Sequence, residues 1–265
     1  MTSWQPKSWH RPGKTERKIR RRATKACMEY DLIRPGEKIM VAFSGGKDSY
    51  ALLWTLRNIQ EAVPFSFDIM AVHVDTGFPQ KGLDEAVSFL EAEGFEYEIM
   101  NENFRPILEG VLNEQEAQCS LCAQMRYGVM FRAAKRLGIR KVAIGHNTDD
   151  AVETVLMNMF FSGQLKSLPP KMLADKGNHV LIRPMLWVEE ELLADFVKEM
   201  GFPLVETECP YYTRERKWMR AWTKERIAEM QKEIPHIRQS ILASLHNVRT
   251  EHLHCKNLHD FDSDE

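Results

Sequence analysis

The sequence predicts an α/β protein with a parallel five-stranded sheet covered by helices on both faces. Apolar runs short enough for buried strands alternate with longer stretches whose apolar residues recur at helical spacing. Glycines stand where several of those helices should stop. Repeated strand-helix alternation of this kind needs right-handed crossovers and leaves the sheet between helical layers.

In order, residues 39–43 read as the first strand and 50–59 as its helix. A second strand covers 67–74, and a helix over 83–93 ends at Gly94. Residues 95–100 make the third strand. The helix that starts after Cys119 ends near Gly138, and 141–145 is the fourth strand. A helix over 149–161, a fifth strand over 179–186 and a helix over 189–200, stopped by Gly201, complete the core. Three parts follow: a basic N-terminal segment (1–36), the α/β domain (37–203) and a helical C-terminal appendage (204–265) whose acidic end, 260–265, is expected to be disordered. Ligands of such sheets bind at strand C-termini near the point where strand order reverses. The turn after the first strand, Asp75 and His146 should therefore share one rim.

That turn reads Ser44-Gly45-Gly46-Lys47-Asp48-Ser49. Its two glycines let backbone N–H groups approach an anion at a helix N-terminus. Lys47 adds positive charge where phosphate must be held. The spacing is neither Walker A nor Gly-x-Gly-x-x-Gly. A turn that merely caps a helix needs one Ser or Asp, so the further Lys marks a phosphate cradle.

Cys119-Ser120-Leu121-Cys122 opens a helical stretch, and Cys209 follows far downstream. Two cysteines three apart on a helix point the same way, and a helix N-terminus stabilises their thiolates. Such a pair suits metal binding or redox and sulfur chemistry. A buried apolar pair and half of a zinc site are the other readings.

Ser44 to Ser49 resemble the PP-loop of ATP pyrophosphatases, enzymes that cleave ATP between the α and β phosphates and usually pass AMP to an oxygen. Further segments occur in one order: the cysteine pair, Arg126, Ile144-Gly145-His146-Asn147-Thr148-Asp149-Asp150, Asn158-Met159-Phe160, Leu168-Pro169-Pro170-Lys171-Met172 and Ile182-Arg183-Pro184. Together they resemble the tRNA 2-thiocytidine synthetase group of the PP-loop family, over about residues 39 to 209. The resemblance implies a Rossmann-like, adenine nucleotide alpha hydrolase-like core. It implies ATP-dependent adenylation of the C2 oxygen of a tRNA pyrimidine, cytidine 32 first, and its replacement by sulfur. It further implies a [4Fe-4S] cluster on Cys119, Cys122 and Cys209, with ATP and Mg²⁺ as the other cofactors.

The ATP contacts expected on this basis are Ser44, Gly45, Gly46, Lys47, Asp48, Ser49, Asp75, Gly145, Asp150 and Arg183. Lys47 would stabilise developing phosphate charge, and Asp48 would orient Lys47 or a magnesium-bound water. Those two and the three cysteines form the expected catalytic set. Turn or helix capping remains open for Asp75 and Asp150, and a strand-end salt bridge for Arg183. A persulfide carried by one cysteine and resolved by another is a competing route. So are thiolation of a different nucleobase by a zinc-containing enzyme and, in another class, a nucleotide-sensing RNA-binding or sulfur-carrying accessory protein. Two departures bear on the target base: Thr76-Gly77-Phe78-Pro79 is shorter than the group's usual insertion, and Cys209 lacks a second nearby cysteine.

A net charge of −2 conceals an uneven distribution. Arg20, Arg21 and Arg22 stand in a basic first segment that suits a phosphate backbone. Arg214, Arg216 and Lys217 follow Cys209 among aromatic residues and are the other expected RNA contacts. Trp218 and Trp222, four apart, read as a stripe packing that segment onto the core. His252, His254 and Cys255 read as a surface tract. The expected partners are tRNA, ATP and a sulfur donor such as a cysteine desulfurase or free sulfide, with a homodimer in keeping with the family. No segment reaches the roughly 18 consecutive apolar residues of a membrane span, no signal-peptide pattern opens the chain, and five cysteines suit a reducing compartment. A cytoplasmic protein without a membrane partner is the expectation.

Overall fold

The computed structural model describes residues 12–110, 115–174, 177–209, 218–254 and 258, with 115–120 in backbone only. The side chain of Cys119, the residues Arg214, Arg216, Lys217 and Cys255, and the acidic end 260–265 lie outside the described residues.

In chain order the elements are α1 (Lys14–Glu29), β1 (Lys38–Ala42), α2 (Lys47–Ala62), β2 (Asp68–Asp75), β3 (Gln80–Lys81), α3 (Leu83–Ala92), β4 (Glu96–Asn101), α4 (Arg105–Gly110), α5 (Gln115–Arg136), β5 (Lys141–Ala143), α6 (Thr148–Ser162), β6 (Lys171–Ala174), β7 (His179–Ile182), α7 (Glu190–Met200), β8 (Glu206–Thr207), α8 (Trp218–Glu233) and α9 (Ile237–Ser244). The main sheet has the order β4-β2-β1-β5-β7-β6. All five expected strands are present and mutually parallel. The expected count of five is corrected to six, because β6 pairs antiparallel with β7 at the edge. Met172 and Leu173 of β6 are exposed, so this strand carries no buried alternation from which to read it. The fifth expected strand also stops early, at Ile182, because Pro184 cannot donate to a ladder.

Alternation along the strands builds a core on each face. Ile39, Val41, Ile69, Ala71, Ala143, Val180 and Ile182 face one cluster with α2 and α7 residues such as Leu53, Leu56, Leu193 and Phe196. Met40, Met70, Val72, Val142 and Leu181 face the other, against Met130, Ala133 and Ala134 of α5. α2 is buried almost all round from Ser49 to Leu56, as a helix between sheet and neighbours must be.

The basic segment supplies α1, whose Ile19, Ala23, Ala26 and Cys27 form its buried stripe. Glu16 is buried there at 4% exposure. Its Oε1 accepts from Trp54 Nε1 at 2.8 Å and Asn58 Nδ2 at 2.7 Å, and its Oε2 from the Gly13 N–H at 3.2 Å.

Among the described residues, those up to Thr148 together with 169–218 form one compact unit, and 149–168 with those from Met219 onward a second. The second is helical. Arg220 pairs with Asp150 at 3.0 Å and Glu153 at 3.5 Å, and Arg238 Nε donates to Asp149 at 2.7 Å. The expected Trp218–Trp222 packing stripe is corrected. α8 buries Thr223 and Ile227 instead, while Trp218 and Trp222 stay 50% and 40% exposed. Trp222 meets Phe160 and Phe161 edge-on, with ring centroids 5.9 and 5.6 Å away. No described helix is long and apolar enough to cross a membrane.

Candidate active site

Strand order reverses between β1 and β5: the chain runs from β1 outward through β2 and β4, then returns to β5 on the other side of β1. The crevice beyond those strand ends is where an open parallel sheet receives a ligand. The Ser44–Ser49 turn follows β1, and Gly145 to Asn147 follow β5.

Inside the turn, Gly45 takes φ +73°, which glycine alone adopts without strain. A Cβ there would collide with Val205, whose N–H donates to the Gly45 carbonyl at 2.9 Å. The Ser49 hydroxyl donates to the Gly46 carbonyl at 2.8 Å and lies 3.3 Å from Ser44 Oγ. Ser44 Oγ also accepts from the Gly46 N–H at 3.3 Å. The loop is thereby set on the N-terminus of α2, where N–H groups lack intrahelical acceptors.

Lys47 Nζ lies 2.9 Å from both carboxylate oxygens of Asp48 and 3.1 Å from Glu190 Oε1. Burial acts to lower its pKa, but the Asp48 hydrogen bond and the charges of Asp48 and Glu190 outweigh it and raise the pKa above the usual lysine value. Gly145 presses on the turn from β5: a Cβ at 145 would lie 3.0 Å from the Asp48 carbonyl oxygen. The Asn147 amide reaches Asp48 Oδ1 at 3.5 Å.

Asp75 ends β2. Its Oδ1 accepts from the Gly77 N–H at 2.9 Å and from Gln80 Nε2 at 3.2 Å. Gln80 Oε1 is 3.0 Å from His73 Nε2, and His73 Nδ1 is 3.0 Å from the Phe43 carbonyl oxygen at the entry to the turn. The ends of β1 and β2 are thus joined by one polar chain through a buried histidine.

Arg183 is 3% exposed. Its Nε donates to His146 Nδ1 at 3.0 Å and its Nη1 to the Pro169 carbonyl at 2.6 Å. Accepting at Nδ1 puts the proton of a neutral His146 ring on Nε2. Burial lowers the Arg183 pKa, and Tyr127 opposes this. No carboxylate pairs with Arg183 among the described residues, so the strand-end salt bridge left open for it is not found there.

Cys122 on α5 and Cys209 after β8 both pack against one apolar cluster, Phe78, Phe104, Leu108 and Val129. The pairing of β3 with β8 brings Cys209 there, matching Gln80 to Thr207 and Lys81 to Glu206. The Glu208 N–H adds a bond to the Pro79 carbonyl at 2.8 Å. The short Thr76 to Pro79 segment therefore supplies a wall of this cluster. Residue 119 stands one helical turn before Cys122 on α5. Among the described residues no group of three His, Cys, Asp or Glu side chains converges as metal ligands, a set from which Cys119 is missing.

Of the expected RNA contacts, Arg22 is partly buried and ion-paired with Glu189, while Arg20 and Arg21 share α1 with it. Sequence reasoning missed Glu190, Gln80 and Phe78. Acidic residues at a helix start read as favourable to the helix dipole, and nothing local to Gln80 or Phe78 announces a partner distant in the chain.

The PP-loop domain family matches residues 15–230. A tRNA-cytidine(32) 2-sulfurtransferase of Syntrophotalea carbinolica is 38% identical over 245 residues, covering 92% of this chain and 94% of that protein. One of Saccharophagus degradans is 37% identical over 251 residues, with 94% and 79% covered. Among solved structures, the U34-tRNA thiolase NcsA of Methanococcus maripaludis, with its [4Fe-4S] cluster, superposes with a TM-score of 0.70 at 25% identity, over 92% of this chain and 80% of that one.

Proposed function

Given that the chain belongs to the PP-loop family, and within it to the tRNA-cytidine(32) 2-sulfurtransferase group, we propose that it uses ATP to replace the C2 oxygen of cytidine 32 in tRNA by sulfur. The observation that carries this reading is a connection within one unit. Asp75 leaves the strand beside β1, and the segment directly after it both walls the Cys122–Cys209 cluster and pairs with the strand before Cys209. A nucleotide turn and a sulfur-handling pair are thus fastened to the same few residues.

ATP binds with its phosphates on the Ser44–Ser49 turn, and Asp48 would hold the accompanying Mg²⁺. An amide-like oxygen is a poor leaving group, whereas an adenylate leaves readily, so transfer of AMP to the C2 oxygen prepares the carbon for sulfur. Lys47 stabilises the charge that develops on the phosphates, as a preplaced donor in a partly dry site. Arg183, with no carboxylate partner among the described residues, contacts the phosphate or the activated base. Asp75, held by Gly77 and Gln80, faces the nucleotide from the adjoining strand end.

Cys119, Cys122 and Cys209 hold a [4Fe-4S] cluster in this reading. Thiolates are its proper ligands, and an apolar wall stands beside Cys122 and Cys209. When bound, the cluster supplies the sulfur-transfer chemistry of the exchange. Arg20, Arg21 and Arg22 on α1, with Arg214, Arg216 and Lys217, contact the tRNA backbone. A cysteine desulfurase or free sulfide is the sulfur source, the enzyme works in the cytoplasm, and it pairs as a homodimer.

The test is a single reaction with two readouts: pyrophosphate released from ATP in the presence of tRNA, and 2-thiocytidine in the nucleoside digest. Both should depend on tRNA carrying cytidine at position 32. Pyrophosphate without any thiolated nucleoside, in the presence of sulfide and reductant, would refute thiolation. Neither product would reduce the protein to a nucleotide-sensing binder.

A further inference from the structure

Among the described residues Lys47 has two carboxylate partners, and only one belongs to the turn. Asp48 is its neighbour. Glu190 opens α7 and reaches Lys47 Nζ at 3.1 Å from across the helical layer. Its placement is fixed from two sides. The preceding residue, Glu189, is the N-cap of α7 and ion-pairs with Arg22 of α1. Behind it, Leu193, Phe196, Val197 and Met200 anchor α7 in the core. The start of α7 therefore cannot drift from the turn, and Glu190 stays within reach of the lysine.

We propose that Glu190 is a latch on the PP-loop: a positioning residue that holds Lys47 while the turn is empty and that ATP must displace. The proposal rests on the reading of the Ser44–Ser49 turn as the ATP site. A carboxylate and a polyphosphate are like charges and repel across such a distance. An ammonium that turns to the phosphates leaves Glu190, so ATP binds only the unlatched fraction and its apparent affinity is lower by that fraction. Asp48 differs in kind, since it moves with the loop and can stay with the lysine or take the metal. Glu190 belongs to a separate, anchored helix and is left behind. It thus weakens ATP binding rather than assisting it.

The test is a binding titration of the full chain with α,β-methylene ATP and Mg²⁺, because that analogue cannot be cleaved at the reacting bond. Wild type is compared with Glu190→Gln, Glu190→Ser, Glu191→Gln and Lys47→Ala. The Gln and Ser variants at 190 should bind about two- to fivefold more tightly, the range set by a partly exposed ion pair. Ser is a good residue at a helix start, so a folding defect in one variant leaves the other informative. Glu191 shares the first turn of α7, so Glu191→Gln should leave affinity unchanged, which separates the latch from the general charge of the helix end. Lys47→Ala should bind weakly.

Wild-type binding with equal or weaker affinity in both 190 variants would overturn the latch and leave the ATP reading standing. Equal tightening by Glu191→Gln would also overturn it. Failure of wild type to bind the analogue at all would remove the ATP reading, and the latch with it.

Discussion

Gly145 lies against the backbone of Asp48: a Cβ added at 145 would stand 3.0 Å from the Asp48 carbonyl oxygen and 3.2 Å from its Cβ. The end of β5 thus packs closely on the Ser44–Ser49 turn after β1, and a side chain at 145 fits only if the Asp48 backbone gives way. Gly145→Ala must push the first turn of α2 outward, because its nearest neighbours there are backbone atoms. Overpacking of this kind costs about 1–3 kcal/mol, and a displaced cradle lowers the rate of pyrophosphate release by about tenfold or more. Thermal melting and initial rates measured together check this. Unchanged ATP kinetics would show that the turn tolerates the shift.

Glu16 makes a different prediction, confined to stability. Its carboxylate is the shared acceptor of the Trp54 indole, the Asn58 amide and the Gly13 N–H. Glu16→Ala removes the acceptor of the Trp54 and Asn58 donors inside the α1–α2 contact. Each buried donor that loses its acceptor costs about 1–3 kcal/mol, so the variant should lose roughly 2–6 kcal/mol in denaturant unfolding. Below its lowered melting temperature it should still bind the ATP analogue. Loss of binding in a folded variant would mean that α1 supports the turn directly.

The two chemical halves of the site should separate genetically. Lys47→Ala is expected to lower pyrophosphate release by about a hundredfold or more while the iron and sulfide content stays that of wild type. Cys122→Ala is expected to lose iron and thiolation while still binding the ATP analogue, since Cys122 belongs to the Phe78 cluster rather than to the turn. Iron and sulfide assays on anaerobically purified protein, with the binding titration, decide both. Thiolation that survives in Cys122→Ala would leave the persulfide route on the remaining cysteines.

Much of this was legible in the sequence, because local pattern carried it. The five parallel strands follow from buried runs of alternating facing such as Ile39-Met40-Val41. The turn at Ser44–Ser49 is as tight as its glycines suggest, with Gly45 at a positive φ. What stayed hidden depends on contacts between distant segments. β6 is an exposed edge that exists by pairing with β7. α8 packs through Thr223 and Ile227, and the louder Trp218 and Trp222 drew the reading to the wrong face. Glu190 carries no mark in its own neighbourhood that its partner is Lys47. The docking of the basic segment through one buried acid is hidden for the same reason, since Glu16 reads as one of few negative charges in a positive run.

Cys27 offers an internal control for any cysteine experiment. Burial pushes its thiol up to about 12, against the opposing charge of Lys141. The thiolate is the reactive form, so Cys27 should resist alkylation at pH 8 in the native protein and react only on unfolding. The same shift sets a pH dependence. The unfolded thiol ionises near its ordinary value while the folded one stays protonated, so this group's contribution to stability is complete below pH 8.5 or so and is lost as pH rises through about 12. Mass spectrometry after brief alkylation reads the first outcome, and melting across alkaline pH in wild type and Cys27→Ala reads the second. Rapid native labelling of Cys27 would show that α1 opens from the core.

Arg183 is the residue whose cost to the fold and use to the reaction should be most clearly opposed. It is 3% exposed, and burial disfavours its charge. Among the described residues no carboxylate compensates it; its partners are a histidine nitrogen and the carbonyl of Pro169. A buried charge without a counter-ion weakens a fold, and an apolar side chain of similar length is often neutral or stabilising in its place. Arg183→Met should therefore unfold at a temperature equal to or above that of wild type, apart from the loss of its bonds to His146 and Pro169. If the missing counter-ion is a phosphate of ATP or of the adenylated base, the same variant should release pyrophosphate about a hundredfold more slowly. Arg183→Lys should recover little, because an ammonium lacks the planar fork whose separate nitrogens reach His146 and the Pro169 carbonyl. Differential scanning calorimetry and single-turnover pyrophosphate release separate the two effects. A destabilised but fully active Arg183→Met would show that the guanidinium serves the loop around Pro169 and not the nucleotide.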